Sequence, residues 1–396
     1  MSQNKKLPVF SVSLMITGNM VGAGILGLPI NTGLVGLWPA LGALVATWAM
    51  MFATAWIIAR QAINAKTDDF DLPSLFGQVL GPAGKWLAII GNLVILYGLL
   101  VAYLSGATTI LFHLFDLPFS YNTLLLAFFT LTTGLTLFGV EIVRKTNALM
   151  TVLMWVAFIA MVCFAGKFIQ TANMNLLEWR LMPIALPVIA TAFHFHNIIP
   201  TVCGTLEWDK PAIKKAILTG TLIGLAMNIA WTVAAVGALP LSGESENTIR
   251  YAFYHNEPAT IPLSKLINSQ LFTIAGLVFA LLAILTSYIT NAIALMHFIR
   301  DMLHTFCKKR SQILEAALTF LIPLGLVFAY PNIFLRALDV VGGIGVVLLF
   351  GALPSLLYIK YAERKHDRFV GMVLLGLFCF ALFFAIMNIL GHYPID

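Results

Sequence analysis

The chain has 396 residues, 60% of them hydrophobic and only 10% charged, with a mean hydropathy of +0.92. Soluble domains carry roughly 25% charged residues, so this chain lacks the polar groups to cover a water-soluble fold of its length, and a bilayer is the expected solvent. The excess of 23 Lys and Arg over 17 Asp and Glu would suit a nucleic-acid partner only if it clustered as a patch. It follows the loops instead, and nucleic acid is excluded.

A helix crosses about 30 Å of hydrocarbon with roughly 20 apolar residues. Eleven runs of that kind occur, at 9–33, 38–60, 86–113, 121–140, 146–167, 182–205, 212–240, 262–299, 312–330, 333–359 and 369–391. The short basic head at Lys5 and Lys6 is followed by a glycine-punctuated run without a small-residue cleavage site, which predicts a retained first helix. The run at 262–299 is long enough for its first turns to lie outside the bilayer. Cys163, Cys203, Cys307 and Cys379 are scattered and form no disulfide or metal framework.

With the N-terminus inside, the outer segments hold only Lys167, Arg180, Arg250, Lys265 and Arg336, and every other Lys and Arg falls in an inner segment. That asymmetry predicts a cytoplasmic N-terminus and, after eleven spans, a periplasmic C-terminus at Asp396. The longest connections, at about 65–85 and 241–261, leave no room for a soluble domain. One transmembrane domain over 1–396 is expected.

The first span contains Gly18-Asn19-Met20-Val21-Gly22-Ala23-Gly24, with Gly27 and Pro29 beyond. Glycine costs about 1 kcal/mol relative to alanine in a helix interior, so the cluster marks either an interruption or a close packing face. The sixth span reads Phe193-His194-Phe195-His196-Asn197 with Pro200 after it. Proline removes a backbone donor and disfavours helix before it, which predicts a break near 195–199. Two interrupted spans five apart point to an inverted-repeat transporter with its substrate at the breaks. The expected architecture is all-α, with a first repeat over about 9–167, a second over about 182–359 and a peripheral eleventh helix at about 369–391.

Helix ends supply the chemistry of such a site. Free N–H groups at a half-helix N-terminus attract a carboxylate, and unwound carbonyls accept from an ammonium. Gly22, Ala23 and Gly24 are the candidates for carboxylate capture, and carbonyls near Gly18, Asn19 and Phe193 for the ammonium. A zwitterionic amino acid matches both.

Gly22-Ala23-Gly24 with Leu28-Pro29, Tyr97, Tyr103-Leu104-Ser105-Gly106-Ala107, Phe193-His194-Phe195-His196 with Pro200, Thr286-Ser287, Tyr330-Pro331 and Pro354-Ser355-Leu356 occur in that order. In this the chain resembles the bacterial hydroxy and aromatic amino acid permeases of the amino acid-polyamine-organocation superfamily, the tyrosine-specific members above all. The resemblance implies the leucine-transporter-like fold with discontinuous helices 1 and 6. It also implies ion-coupled uptake of an aromatic amino acid, tyrosine first, or of tryptophan or a serine-type substrate, across a bacterial inner membrane. The chain departs from the family at His194, where glycine is common, and at Asn19 and Met20, where small hydroxyl residues are common.

Within this frame His196 is the preferred polar contact or proton-linked gate, since intramembrane histidines are costly. His194, two residues away, would point elsewhere on a helix. Phe193 and Phe195 can stack on a substrate ring or fill the core. Tyr97 and Tyr103 lie six residues apart and face opposed directions, so only one reaches the site; Tyr103 is preferred. By the resemblance, Thr286 and Ser287 sit where sodium-coupled relatives place hydroxyl ligands beside carbonyls of Gly18 and Val21, although such hydroxyls often bond back to their own helix. The coupling ion is H+ or Na+, with no other cofactor, and a monomer is expected. A metal-ion carrier is disfavoured because 17–29 contains no carboxylate, a channel because no filter-like segment occurs, and an enzyme because the histidines lack acidic or cysteine partners at metal spacing. Asp339 and Glu141 are expected at span ends, and Asn291 as helix-helix glue.

Overall fold

The computed structural model describes residues 8–66, 71–114, 118–243, 245–308 and 311–391. Lys5, Lys6, Lys309, Arg310 and the C-terminal Asp396 lie outside these. Among the described residues there is no strand; ten helices are long and apolar enough to cross a membrane, and a bent pair, α1 (Val9–Met20) and α2 (Ala23–Val35), makes the eleventh span. The protein is a multi-pass membrane protein.

In chain order the second to fifth spans are α3 (Leu37–Ala65), α4 (Leu72–Leu114), α5 (Tyr121–Phe138) and α6 (Val140–Gly166). The sixth is divided into α7 (Met182–Ala192) and α8 (Ile199–Thr205), and α9 (Lys210–Ala238) is the seventh. Two short helices, α10 (Ile249–Tyr254) and α11 (Thr260–Ile267), precede the eighth span, α12 (Gln270–Met302). α13 (Gln312–Ala329) is the ninth, α14 (Phe334–Val340) and α15 (Leu353–Lys360) with a π-helical stretch between them the tenth, and α16 (Lys365–Ile389) the eleventh.

Local chemistry sets these boundaries. Ser120, Asp209, Thr248 and Ser311 each accept a hydrogen bond from the amide three residues on, capping α5, α9, α10 and α13. Gly36 turns the corner into α3 at φ +96°, where a side chain would also strike the carbonyl of Leu176. Gly81, at φ +78°, separates the first two turns of α4 from the spanning part that begins at Pro82. The third span therefore carries a short helix from Leu72 ahead of it, in what the sequence presents as a loop. The expected run at 262–299 is likewise two helices, parted by Asn268 in the left-handed conformation.

The spans alternate between the face where α1 begins, here the N-terminal face, and the opposite, distal face. α1 packs on α9, α2 on α7, α12 on α6 and α4, and α4 on the π-helical stretch of the tenth span. Gly91 and Gly345 make the last of these contacts close: a methyl at Gly345 would lie 2.6 Å from Ile95 Cγ1 and 3.2 Å from the carbonyl oxygen of Gly91. α16 packs against the tenth span and α7 and is otherwise peripheral.

The distal face is sealed. Every residue of α2 is buried, under α7, α10 and α14. The α10–α11 segment is pinned to it by the Ala259 amide donating to Leu26 O at 2.9 Å, and to α14 by the Arg336 amide donating to Asn256 Oδ1 at 3.2 Å. Ser105 Oγ accepts from the Ile333 amide at 3.1 Å, and the Phe334 ring sits over Gly106, which accounts for the Ser-Gly motif of the third span. Asp339, expected at the interface, is 8% exposed, and Asn31 Nδ2 donates to it at 3.2 Å and to Ile184 O at 3.2 Å. Glu257, between α10 and α11, is 2% exposed with His113 Nε2 3.9 Å away. Burial raises its carboxyl above the ordinary range, opposed by the charges of Lys265 and His255.

Gly345→Val overpacks the α4 contact and should cost about 1–3 kcal/mol, measured as a lower melting temperature in detergent, with Ile95→Ala, which removes the struck Cγ1, restoring part of it in the same chain. Because the folded state holds the Glu257 proton more tightly than the unfolded state, stability falls as pH rises from about 4.3, the unfolded value, through the raised folded value. Glu257→Gln should therefore flatten the decline in melting temperature across that window and leave the variant the more stable of the two at pH 7.

Candidate functional site: a cavity at the paired helix breaks

α1 and α2 meet at a bend of 58°. Val21 is extended (φ −84°, ψ 90°), and its amide still closes the last turn of α1 on Thr17 O at 3.1 Å. Gly22 (φ −141°, ψ −150°) then opens α2, whose first amides have no helical acceptor. The two readings of the glycine cluster both hold. Gly22 lies at the interruption, and Gly24 is a packing position, where a methyl would come 3.0 Å from the backbone of Ala192 at the end of α7. The sixth span breaks at the matching depth: α7 ends at Ala192, the chain crosses Phe193–Phe195, and a 3-10 turn at His196–Ile198 leads into α8 with Pro200 in its first turn.

A cavity of about 490 Å³ opens beside these breaks. Gly18, Asn19, Tyr103, His194, Ser287 and Asn291 line it, together with Thr286 and Ile198. It runs along the first half of α1 past Met15, Leu14 and Ser11, and along Met150 and Met154 of α6, so it opens toward the N-terminal face. Its lining holds no Asp, Glu, Lys or Arg. Binding there has to rely on helix ends and neutral dipoles.

Tyr103 and Ser287 close over the first break. A methyl at Gly22 would lie 3.2 Å from Ser287 Oγ and 3.4 Å from the Tyr103 hydroxyl oxygen. Asn291 Nδ2 donates to Ser287 O at 2.8 Å and lies 3.4 Å from the Tyr103 hydroxyl, while its Oδ1 is buried without a partner. Asn19 Oδ1 and His194 Nε2 are buried and unpartnered in the same cavity. These are buried hydrogen-bonding groups without a protein partner, which is costly unless a ligand or water meets them. Thr286 Oγ1 donates to Leu282 O of its own helix at 2.8 Å, which leaves its oxygen lone pairs available but commits its proton.

Several singled-out residues lie elsewhere. The Tyr97 hydroxyl donates to Leu318 O of α13 at 3.0 Å. Phe193 and Phe195 are buried in the core and do not line the cavity, and Asn197 is exposed. His196 is fully buried with Nε2 3.0 Å from Thr54 Oγ1 on α3. The Thr54 hydroxyl also reaches Met51 O at 3.2 Å. The imidazoles of His194 and His196 both stack on Phe350, at ring-centroid separations of 5.3 and 4.8 Å. The unwound backbone reverses the helical expectation, turning His194 into the cavity and His196 away from it.

Asn291, and Met150 and Met154 of the fifth span, are in the cavity although sequence reasoning passes over them. Asn291 stands four residues after Ser287, which puts both on one helix face, a usable signal. Methionines on an apolar span carry none. Openness on one side only is checkable: with the native cysteines replaced, Asn19→Cys should react with a hydrophilic thiol reagent supplied to the N-terminal face and not with the same reagent supplied to the distal face. Equal reactivity would refute the sealed distal face.

Known proteins resemble the chain in sequence and in fold. The chain is 28% identical to the tyrosine-specific transport system 1 of Haemophilus influenzae over 89% of its own length and 88% of that protein's. To the tryptophan-specific transport protein of the same organism it is 24% identical, covering 99% and 97% of the two chains. Among solved structures, a mutant form of a manganese transporter of Eremococcus coleocola superposes with a TM-score of 0.60 at 14% identity, over 97% of this chain and 88% of that one. That likeness establishes the fold, a leucine-transporter-like arrangement of helices, and these relatives are transporters rather than enzymes. Residues 5–392 match the tryptophan/tyrosine permease family, and the chain belongs to it.

Proposed function

We propose that the chain is a secondary active symporter that imports an aromatic amino acid, tyrosine first, across a bacterial inner membrane by alternating access, with the N-terminus cytoplasmic, the C-terminus periplasmic and the monomer as the working unit. The observation that carries this reading is the neutral cavity at the two helix breaks, lined by Gly18 and Asn19 at the carbonyl end of α1, with the first amides of α2 starting at Gly22 behind the Tyr103 and Ser287 side chains of its wall. The amides suit the substrate carboxylate and the carbonyls its ammonium. Placing the N-terminal face in the cytoplasm follows the basic residues, and makes this conformation inward-facing.

Tyrosine is favoured over phenylalanine by the unpartnered oxygens of Asn19 and Asn291 and by His194 Nε2. A site with buried groups aimed at a hydroxyl rejects the analogue that lacks it far more strongly than an apolar pocket can. The tryptophan-specific relative supports a second reading, since an indole N–H is a donor for the same acceptors. The coupling ion is H+ or Na+. His194 is the imidazole in the cavity lining, and Thr286 and Ser287 offer hydroxyl oxygens beside the first break.

The test is uptake of labelled tyrosine into proteoliposomes, with proton and sodium gradients imposed separately and tryptophan, phenylalanine and serine as competitors. Concentrative uptake under one gradient, with tyrosine competing best and phenylalanine weakly, is expected. His194→Gln should abolish accumulation under a proton gradient if the proton is the coupling ion, and Ser287→Ala under a sodium gradient if sodium is. No uptake under either gradient by folded protein would overturn the assignment.

A further inference from the structure

A second, larger cavity of about 750 Å³ lies on the distal side, away from the helix breaks, among the end of α2, the connection before α7, the start of α7, α10 and α16. Leu186 and Phe380 are among its apolar walls, and Arg180, Arg250 and Glu178 line it as charged groups. Phe380 stands 15 residues into α16, about 23 Å along the helix from the N-terminal face at 1.5 Å per residue. The cavity therefore reaches from the hydrocarbon of the distal leaflet up to the connection that leads into α7. Phe380 is 55% exposed and Trp179, at the rim, 63% exposed, so the cavity is open on the side where lipid lies.

Arg180 is exposed at the cavity rim and Arg250 is half-buried. Among the described residues neither guanidinium has a carboxylate within 4.0 Å, and the Nε of Arg250 is buried with no hydrogen-bond partner. An unpaired guanidinium N–H in an apolar wall is costly, and a phosphate meets the fork of arginine donors in two parallel bonds. Glu178 on the same wall would repel a purely anionic headgroup and would pair with an ammonium. Apolar walls below, two arginines and one carboxylate above match the order of groups along a zwitterionic aminophospholipid.

The geometry points to a lipid site: a distal-leaflet glycerophospholipid of the phosphatidylethanolamine type sits between α7 and α16, with its phosphate on Arg180 and Arg250, its ammonium toward Glu178 and an acyl chain along Leu186 and Phe380. The lipid would fill the seam between the peripheral span and the bundle. This site is independent of which amino acid the chain carries.

Native mass spectrometry of the delipidated full chain, titrated with phosphatidylethanolamine, phosphatidylglycerol and inorganic phosphate, tests it. One phosphatidylethanolamine should survive activation that strips the others. It should be lost in the Arg180→Gln, Arg250→Gln double variant and in Leu186→Trp, which fills the apolar wall and leaves the charges untouched. Glu178→Gln should abolish the preference over phosphatidylglycerol. If the double variant fails to fold, judged by its melting curve, the Leu186→Trp and Glu178→Gln chains still decide. Retention of phosphatidylglycerol equal to or above phosphatidylethanolamine by the unaltered chain, displacement of lipid by inorganic phosphate, or lipid retention unchanged in the folded variants would each overturn the proposal.

Discussion

Within hydrocarbon there is no water to satisfy a backbone amide or carbonyl, so a spanning chain stays helical unless the broken part is buried in protein or faces a cavity. Everything central to this protein follows from where it departs from that rule. The chain unwinds at Val21–Gly22 and again at Phe193–Phe195, and both breaks are enclosed by other helices. The cavity beside them is lined by neutral polar side chains, among them Asn19, Tyr103, His194, Ser287 and Asn291, and by no charged one. A carrier built this way commits no buried ion pair to its ligand and keeps its site neutral when empty.

Much of this is legible in the residues. Span number comes from the length of apolar runs, and the two breaks from glycine and proline, because both residues act on the backbone itself and do so wherever they stand. What the sequence does not convey is direction. On a regular helix His194 and His196 would point apart with either able to face the site, and the choice between them depends on φ and ψ across three unwound residues. Tyr97 and Tyr103 are separable by periodicity alone because α4 is regular there, and Tyr103 is the one at the cavity. The sequence presents Asn291 as helix glue. It does hold Ser287 O, yet its second polar atom is left without a partner beside the cavity, and only the neighbours across the interface reveal that.

The short helices hidden in the loops escape the sequence for a related reason. The segments before the third and eighth spans are helical, but short, with Gly81 and Asn268 as corners. Such helices draw stability from what they cover rather than from their own pattern. Those on the distal side cover α2, while the one before the third span lies under Lys360, whose ammonium donates to Val79 O. Likeness of fold to a manganese transporter, at 14% identity, concerns the arrangement of helices and not the cargo.

α2 and α7 touch backbone to backbone at Gly24 and Ala192 and share the bond from Asn31 to Ile184 O, so they are joined as one lever. That lever packs broadly on the tenth span, but the polar ties between them are few: Asn31 to Asp339 and Thr191 Oγ1 to Leu338 O at 3.0 Å, beside the seating of Gly342 against Pro187. Hydrogen bonds of this kind contribute about 1 kcal/mol each. Two or three such bonds supply only a few kcal/mol, so the fit of α2 and α7 against the tenth span rests mainly on apolar packing. The distal seal is thus mostly a hydrocarbon contact with few directional bonds across it.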